Sequence, residues 1–525
     1  VVYNSFGEPT TVTDALGRVS SVFYNSQGDV TQTTAPGNVN AFATYDTLGR
    51  VLTTTDGAGN VSSVNYDVWD RVTQITEPGS AVSTIQYDLE DNIVSATDPL
   101  GRTGSRIIND IGRTSSATNA KNETTSFAYN NVGYLTSVTN GRGHTRHYVY
   151  TDRGQVSSLT LADGAVEQWS YNGNGDTTAY VNPLGQTINY IYDNAGQQTS
   201  VDYPTGLTDT SFTYDSSGRQ TSMVDGTGTS SWTYNAASEI TGLTTPQGSM
   251  NYAYNIAGQV TSMTEVGTGT TSTSYDSAGR PSSVTDVFGD VSSYVYDGAG
   301  RLSRKNNPNG TYEEYVYDTR NRVTSIVTKN SSNTVLQSRV YTFDLASQVT
   351  QVVEGGVTTT YGYDNIGQLT SEVKSSGYSG SYTYDANGNR LTRTVNGVTE
   401  TYAYDSGDKL LSVTGGSDPR TFAYDAAGRT TGIVRASGTT SFSYDFESRV
   451  TSITKPGMVT NSFTYNGLDT RVGMTDSSGT KSFKRNGVYV TDPVLSDGTA
   501  SFTPTGEVRG GVKKTFHSAL KNDDV

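Results

Sequence analysis

Large apolar residues recur in pairs two positions apart along nearly the whole chain, as in Tyr148/Tyr150, Trp169/Tyr171, Tyr190/Tyr192, Trp232/Tyr234, Tyr382/Tyr384 and Phe442/Tyr444. A spacing of two places both rings on one face of a β-strand. The second ring of each pair returns about every 21 residues, at Tyr3, Tyr24, Tyr45, Tyr66 and Tyr87, then a degenerate Ile108, then Tyr129, Tyr150, Tyr171 and Tyr192. The series continues through Tyr214, Tyr234, Tyr254, Tyr275, Tyr296, Tyr317, Phe343, Tyr363, Tyr384, Tyr404, Tyr424, Tyr444 and Tyr465, with spacings of 20 to 22 apart from one of 26. A fixed period across 23 anchors is an array, and it takes precedence over any local motif.

The stretch Tyr294-Val295-Tyr296-Asp297-Gly298-Ala299-Gly300-Arg301-Leu302 shows what each unit predicts. The Asp or Asn after the anchor can bond its own backbone and start a turn, and the fourth position accepts a left-handed backbone when it is Gly. Fifteen units carry Gly there, among them Gly49, Gly196, Gly218, Gly279, Gly300 and Gly428. Asp70, Asp91, Asn321, Asp408 and Asp469 are the next most tolerant types, while Ser238, Ser347 and Ser448 fit less well. A strand rich in Val and Thr follows, such as Arg71-Val72-Thr73-Gln74-Ile75-Thr76, then a second turn such as Asp98-Pro99-Leu100-Gly101 or Asn182-Pro183-Leu184-Gly185. Each unit is therefore two strands and two turns. Val72 and Ile75, three apart, belong on opposite faces of a regular strand, so either a bulge lies there or both faces are covered.

The fold class is thus all-β, about 23 tandem hairpins without a linker to divide them. Twisted open sheets rarely exceed about ten strands before curling or splitting. A strip of roughly twice 23 strands must therefore coil into a hollow shell or wide solenoid, and stacking of successive turns protects its long edges. The 26-residue interval contains Lys329-Asn330-Ser331-Ser332-Asn333, which reads as a longer exposed hairpin tip. The array occupies residues 1–470, and residues 471–525 form an atypical end with strand-like pieces at Lys481 to Phe483 and Val488 to Val490.

Composition narrows the function. Apolar residues make up only 33% of the chain, so the core is thin and built largely from tyrosine. A net charge of −15 without a basic cluster disfavours nucleic acid as a partner. The absence of cysteine removes disulfides, thiol nucleophiles and thiolate zinc sites. No apolar run is long enough to span a membrane as a helix. The chain begins within a strand at Val1-Val2-Tyr3, with neither Met nor a signal peptide, as expected of a piece of a longer polypeptide.

Candidate chemistry is sparse. His144 and His147 are three apart, which on a strand sends them to opposite faces and argues against a metal pair. Asn172-Gly173-Asn174-Gly175-Asp176 and Asp385-Ala386-Asn387-Gly388-Asn389 lack the full ligand pattern and distal Glu of a calcium loop, so they read as turns. With three histidines and no nucleophile elbow beside one, no hydrolytic triad is visible. The expectation is a protein with no catalytic residue, metal or cofactor, in which the recurrent Asp and Arg are turn and register devices first.

Repeated Tyr-Asp-x-x-Gly-Arg before a Val/Thr strand, as in Tyr275-Asp276-Ser277-Ala278-Gly279-Arg280, resembles the YD repeat of the Rhs family, which includes bacterial polymorphic toxins, toxin-complex shell components and the animal teneurins. The resemblance implies a spiralling strip of hairpins closing into a shell, often around a toxic C-terminal polypeptide. It points to an exported or surface protein of a bacterium whose partner is the enclosed C-terminal polypeptide of its parent or a delivery apparatus. A cell-surface adhesion or glycan-binding protein is the alternative. The run from Asp476 to Tyr489 is similar to the approach to the Rhs-associated core region. Relatives carry an Asp-Pro-x-Gly motif that supports self-cleavage there. Asp492-Pro493 is followed by Val494-Leu495, and Asp98-Pro99-Leu100-Gly101 is a routine turn, so neither self-cleavage nor a carried toxin is expected. The end of the chain is expected to be an irregular partial plug or to lie loosely at the shell opening.

Overall fold

The computed structural model describes residues 1–204, 206–504 and 506–516. Every regular element among them is a strand. From Val2–Tyr3 to Gly479–Ser482, 47 strands form one sheet in which consecutive strands pair antiparallel. It is a single continuous meander.

The unit at Tyr296 shows why the sequence folds this way. Strands Val291–Tyr296 and Leu302–Asn306 are joined by a turn in which Asp297 does most of the bonding. Its Oδ1 accepts the backbone N–H of Ala299 and of Arg301 at 3.0 and 2.9 Å, and its Oδ2 accepts the Arg301 Nε at 2.8 Å. The Gly300 N–H closes the turn on the Asp297 carbonyl, at φ +84°. Val295 pairs with Arg304 but Tyr296 pairs with Leu302, so Ser303 is an extra residue, a β-bulge. The unit at Tyr66 repeats the pattern, Asn65 opposite Gln74 and Tyr66 opposite Val72, with Thr73 extra. The bulge therefore lies between Val72 and Ile75 and brings both to the tyrosine face. A bulge also raises local right-handed twist, which a strip needs in order to coil.

The coil has a measurable pitch. Asp56 meets Asn321, Arg102 meets Gln348, Lys121 meets Gln368 and Asp225 meets Gly467, at sequence separations of 265, 246, 247 and 242 residues. At the repeat length of the array that is about 12 hairpins per turn. With about 24 strands spaced ~4.8 Å apart, the circumference is about 115 Å and the diameter about 37 Å. Accessible surface gives an independent check. A compact monomer of this mass has about 18,400 Å², whereas this chain exposes 26906 Å². A thin wall wound nearly twice accounts for the excess.

Two details differ from the sequence expectations. The residues of the long interval extend the strands, Val323–Lys329 and Val335–Phe343, and the turn at Asn330 to Thr334 is of ordinary size. A second bulge at Leu336 lets the added residues pair instead of looping out. Val488 to Val490 is a bend, not a strand, and Val488 is buried in one apolar cluster with Ile188, Met223, Trp232 and Met250.

Residues 484–515 are more ordered than the irregular plug expected there, and the part of that expectation on residues 517–525 lies outside the described residues. Beyond the bend, strands Val494–Ser496, Ala500–Thr503, Gly506–Arg509 and Val512–Thr515 join Lys484–Arg485 in a separate five-stranded sheet. Lys484 pairs with Glu265 at 2.6 Å, Lys513 with Asp290 at 2.6 Å, and Tyr252 donates to Asn486 at 2.7 Å, fixing this sheet to the array.

Candidate functional site

Two contacts tie each hairpin to the next, and both use residues of the repeat. The bulge leaves the carbonyl of the residue beside it free of the ladder, and the anchor hydroxyl of the following unit takes it. Tyr317 Oη donates to Leu302 O at 2.8 Å, Tyr87 to Val72 O at 2.8 Å, and Tyr45 to Val30 O at 2.7 Å. All 20 tyrosine anchors from Tyr24 to Tyr465 do the same. Phe343 and Ile108 have no hydroxyl to give. In the Ile108 unit the Arg106 Nε reaches the equivalent carbonyl, that of Ile93.

The arginine is the second tie. Besides pairing with the aspartate of its own turn, it lies over the next anchor ring, 4.2 Å for Arg280 on Tyr296, 4.5 Å for Arg301 on Tyr317 and 4.7 Å for Arg71 on Tyr87. Its Nη1 then reaches the next turn, as Arg71 does to Asp88 O and Asp91 Oδ1, both at 2.8 Å. Gln155, Gln197 and Gln259 substitute by donating to Gly175, Gly218 and Gly279 carbonyls at 2.9, 3.0 and 2.7 Å. The backbone N–H of Arg50 leads the interactions that hold the Asp46 carboxyl below its ordinary range. All fourth positions have positive φ, from Gly49 (80°), Gly196 (79°), Gly218 (80°), Gly279 (80°) and Gly428 (74°) to Asp70 (65°) and Ser238 (65°).

Between coils a different set of residues meets. The second-turn edge of the first coil rests on the anchor-turn edge of the second. Asp163 pairs with Lys409 at 2.5 Å, Arg142 with Asp408 at 2.6 Å, and Lys121 with Asp364 at 3.3 Å. The backbones come close: a Cβ on Gly141 would stand 2.7 Å from the Ala386 carbonyl oxygen. A cavity of 430 Å³ opens on this seam, lined by His144, Arg146, Asp163, Asp408 and Lys409. Asp163, Asp408 and Lys409 there are already paired, and the buried His144 Nδ1 has no hydrogen-bond partner. Further along the seam, Glu447 is half-buried beside Tyr203 and Asp469. Burial foremost, opposed by the Tyr203 hydroxyl, pushes its carboxyl above the ordinary range.

The other sequence candidates resolve into structure. His144 ends the turn that begins at Asn140, while His147 lies in strand Thr145–Tyr150, opposite Ser137. Asn172 to Asp176 and Asp385 to Asn389 are side-chain-capped turns, with Asn172 Oδ1 accepting from Asn174 N and Asp385 Oδ1 from Asn387 N. Asp98 caps its turn likewise. The Asp492 carboxylate accepts the Tyr489 N–H at 2.7 Å. Among the described residues, no group of three or more His, Cys, Asp or Glu is placed to hold a metal ion, and no helix is long and apolar enough to cross a membrane. The intercoil residues escaped sequence reasoning, because a 21-residue period is compatible with any number of hairpins per turn. The tyrosine hydroxyl had a signal: 21 of the 23 anchors are Tyr and one is Phe, a bias that packing alone does not require.

Family comparison agrees with this geometry. The RHS repeat matches residues 3–39, 45–82, 66–103, 171–208, 214–250, 254–291, 275–312 and 296–334, and the teneurin YD-shell matches 331–482. The chain is a member of the Rhs/YD-repeat family. The Rhs/YD fold is shared with solved toxin-complex structures. The Photorhabdus luminescens Tc holotoxin pore bearing a mutated TccC3 superposes with a TM-score of 0.75 at 14% identity, over 94% of this chain and 31% of the other. TcdB2-TccC3-TEV gives 0.69 at 14% identity over 94% and 31%. TcdB2-TccC3 without its hypervariable C-terminal region gives 0.51 at 13% identity over 97% and 41%. This Rhs/YD chain thus spans 31% to 41% of the chains it resembles. No curated protein sequence matches it.

Proposed function

We propose that this Rhs/YD chain is a noncatalytic wall that encloses or presents a C-terminal polypeptide of a longer, exported bacterial protein. In this reading residues 1–470 are the repeat array of the wall and residues 471–525 its terminal piece, whose strands Arg471–Asp476 and Gly479–Ser482 complete the wall's sheet. The recurrent tyrosines, turn glycines and arginines act as joints between hairpins. The observation that carries the proposal is the coil itself, a thin sheet wound on a diameter far larger than packed side chains fill. Subtracting about 5 Å of side chain on each inner wall, half the usual spacing of packed sheets, leaves a bore of about 25 Å. A folded domain of 100 residues has a radius of gyration of about 13 Å, hence a diameter of about 34 Å. The bore accordingly favours an extended or unfolded guest.

The test is co-expression of the wall with the C-terminal segment encoded by its parent gene, followed by limited proteolysis. Retention of the segment and digestion at least tenfold slower than that of the isolated segment is the expected result. Digestion at the free rate would refute enclosure.

A further inference from the structure

One unit of the array has lost its rings and leaves a notch. In the four units that follow Ile108, the tyrosine face is filled by facing pairs: Phe127 opposite Val138, Tyr148 opposite Leu159, Trp169 opposite Tyr180, and Tyr190 opposite Val201. At Ile108 the corresponding pair is Arg106 opposite Ala117, and one strand earlier Ala96 faces Gly104. Ala117 thus stands where those four units place Val138, Leu159, Tyr180 and Val201, and Arg106 where they place a ring, with the small pair Ala96 and Gly104 alongside. The Arg106 Nε is spent on the Ile93 carbonyl, in place of the missing anchor hydroxyl. The resulting cavity measures 460 Å³ and is lined by these residues with Ile93, Arg106 and Glu123.

We propose that this notch is a binding site for a small aromatic molecule of the phenol or indole class. The shape argument is that this unit lacks both the anchor ring that Tyr87 and Tyr129 supply on either side and the second ring of the four units that follow, and its floor is apolar. The electronic argument is that in eight units the turn arginine lies over the next anchor ring at 4.2 to 5.2 Å, for example Arg280 on Tyr296 and Arg449 on Tyr465. In the notch Arg106 supplies the cation without a resident ring. The Glu123 carboxylate on the rim accepts from Asn119 Nδ2 at 2.7 Å and pairs with Lys121 at 3.1 Å, and its two oxygens keep further lone pairs for a ligand O–H or N–H. The proposal stands apart from enclosure of a polypeptide, since neither requires the other.

The experiment is ligand-observed fluorine NMR with 5-fluoroindole on the full chain. The wild type is expected to broaden the signal, and indole and p-cresol to reverse the broadening. Cyclohexylmethanol, similar in bulk but without a π-face, is expected to compete at least fivefold less well. Ala117→Leu, which restores the residue type of Leu159, should fill the notch, preserve or raise the melting temperature, and weaken binding at least fivefold. Ala96→Val serves the same purpose if the first variant does not fold. No broadening with the wild type, equal binding by a folded filled variant, or equal competition by cyclohexylmethanol would overturn the proposal.

Discussion

Removing one oxygen atom tests whether the tyrosine hydroxyl is a joint between hairpins or incidental to packing. In Tyr317→Phe the ring stays under the Arg301 guanidinium, now 4.5 Å away, and only the 2.8 Å bond to Leu302 O is lost. A net hydrogen bond contributes roughly 0.5–1.5 kcal/mol, and a fully buried orphaned carbonyl costs roughly 1–3 kcal/mol. Leu302 is only partly buried, so water recovers some of the loss. About 1 kcal/mol is expected, equivalent to about fivefold faster local opening. The reverse change is available in the same chain. Phe343 already sits under Arg322 at 4.7 Å, and the Val323 carbonyl lies beside the bulged Thr324, so Phe343→Tyr restores the hydroxyl with its acceptor in place. Hydrogen exchange by mass spectrometry should show peptides around Leu302 exchanging about fivefold faster in the first variant. Those around Val323 should exchange more slowly in the second, by a similar factor, while distant hairpins are unchanged. Unchanged exchange at both sites would refute the joint, and uniform change along the chain would refute its locality.

Other consequences are as direct. Gly196 has φ +79° with open space around its absent Cβ, so Gly196→Ala should cost roughly 1–2 kcal/mol of local stability through backbone strain alone, while Ser238→Gly at φ 65° should gain up to about 1 kcal/mol, both read by denaturant titration. Arg449→Lys keeps the charge but loses the forked contacts with Asp445, Asp469 and the Tyr465 ring, and should loosen the turns at Asp445 and Asn466 more than earlier anchor turns, in exchange rates there. Glu447 has a folded pKa above its unfolded one, so it destabilises the fold at high pH and ceases to do so as pH falls below the unfolded value. Glu447→Gln should therefore raise the melting temperature at pH 8 and change it less at pH 4. The turn carboxylates run the other way: Asp215, held low first by the Arg219 N–H, contributes stability that is lost as pH falls below the usual carboxylate range, so acid should loosen the anchor turns.

How much of this could be read from the sequence depends on range. Turn chemistry is local, so Asp297, Gly300 and the non-glycine substitutes at Asp70 and Ser238 announced their backbone conformations through residue type. The three-residue interval from Val72 to Ile75 announced the bulge without deciding for it. What joins one hairpin to the next was half legible, in the preference for Tyr over Phe. The seam was not legible. Asp163 and Lys409 are ordinary charged turn residues until the pitch of the coil sets them 2.5 Å apart, and pitch is the sum of small twists over many hairpins. The terminal sheet was missed for a related reason, because its strands are short and stabilised by contacts such as Lys484 to Glu265 that no local pattern records.

The double coil itself is tested most directly by a disulfide across the seam in this cysteine-free chain. Gly141 and Ala386 lie in different coils, yet a Cβ built on Gly141 stands 3.1 Å from that of Ala386. That is close to the roughly 3.5–4.5 Å of a disulfide, and the adjustment is a few tenths of an ångström. Gly141→Cys with Ala386→Cys, mildly oxidised in the native state and run without reductant, should cross-link intramolecularly and nearly completely. A control pairing Gly141→Cys with Ala427→Cys, two anchor turns further along, should not. Efficient closure of the first pair alone is the result the coil predicts. Failure of both pairs in a folded chain, or equal closure of both, would contradict it.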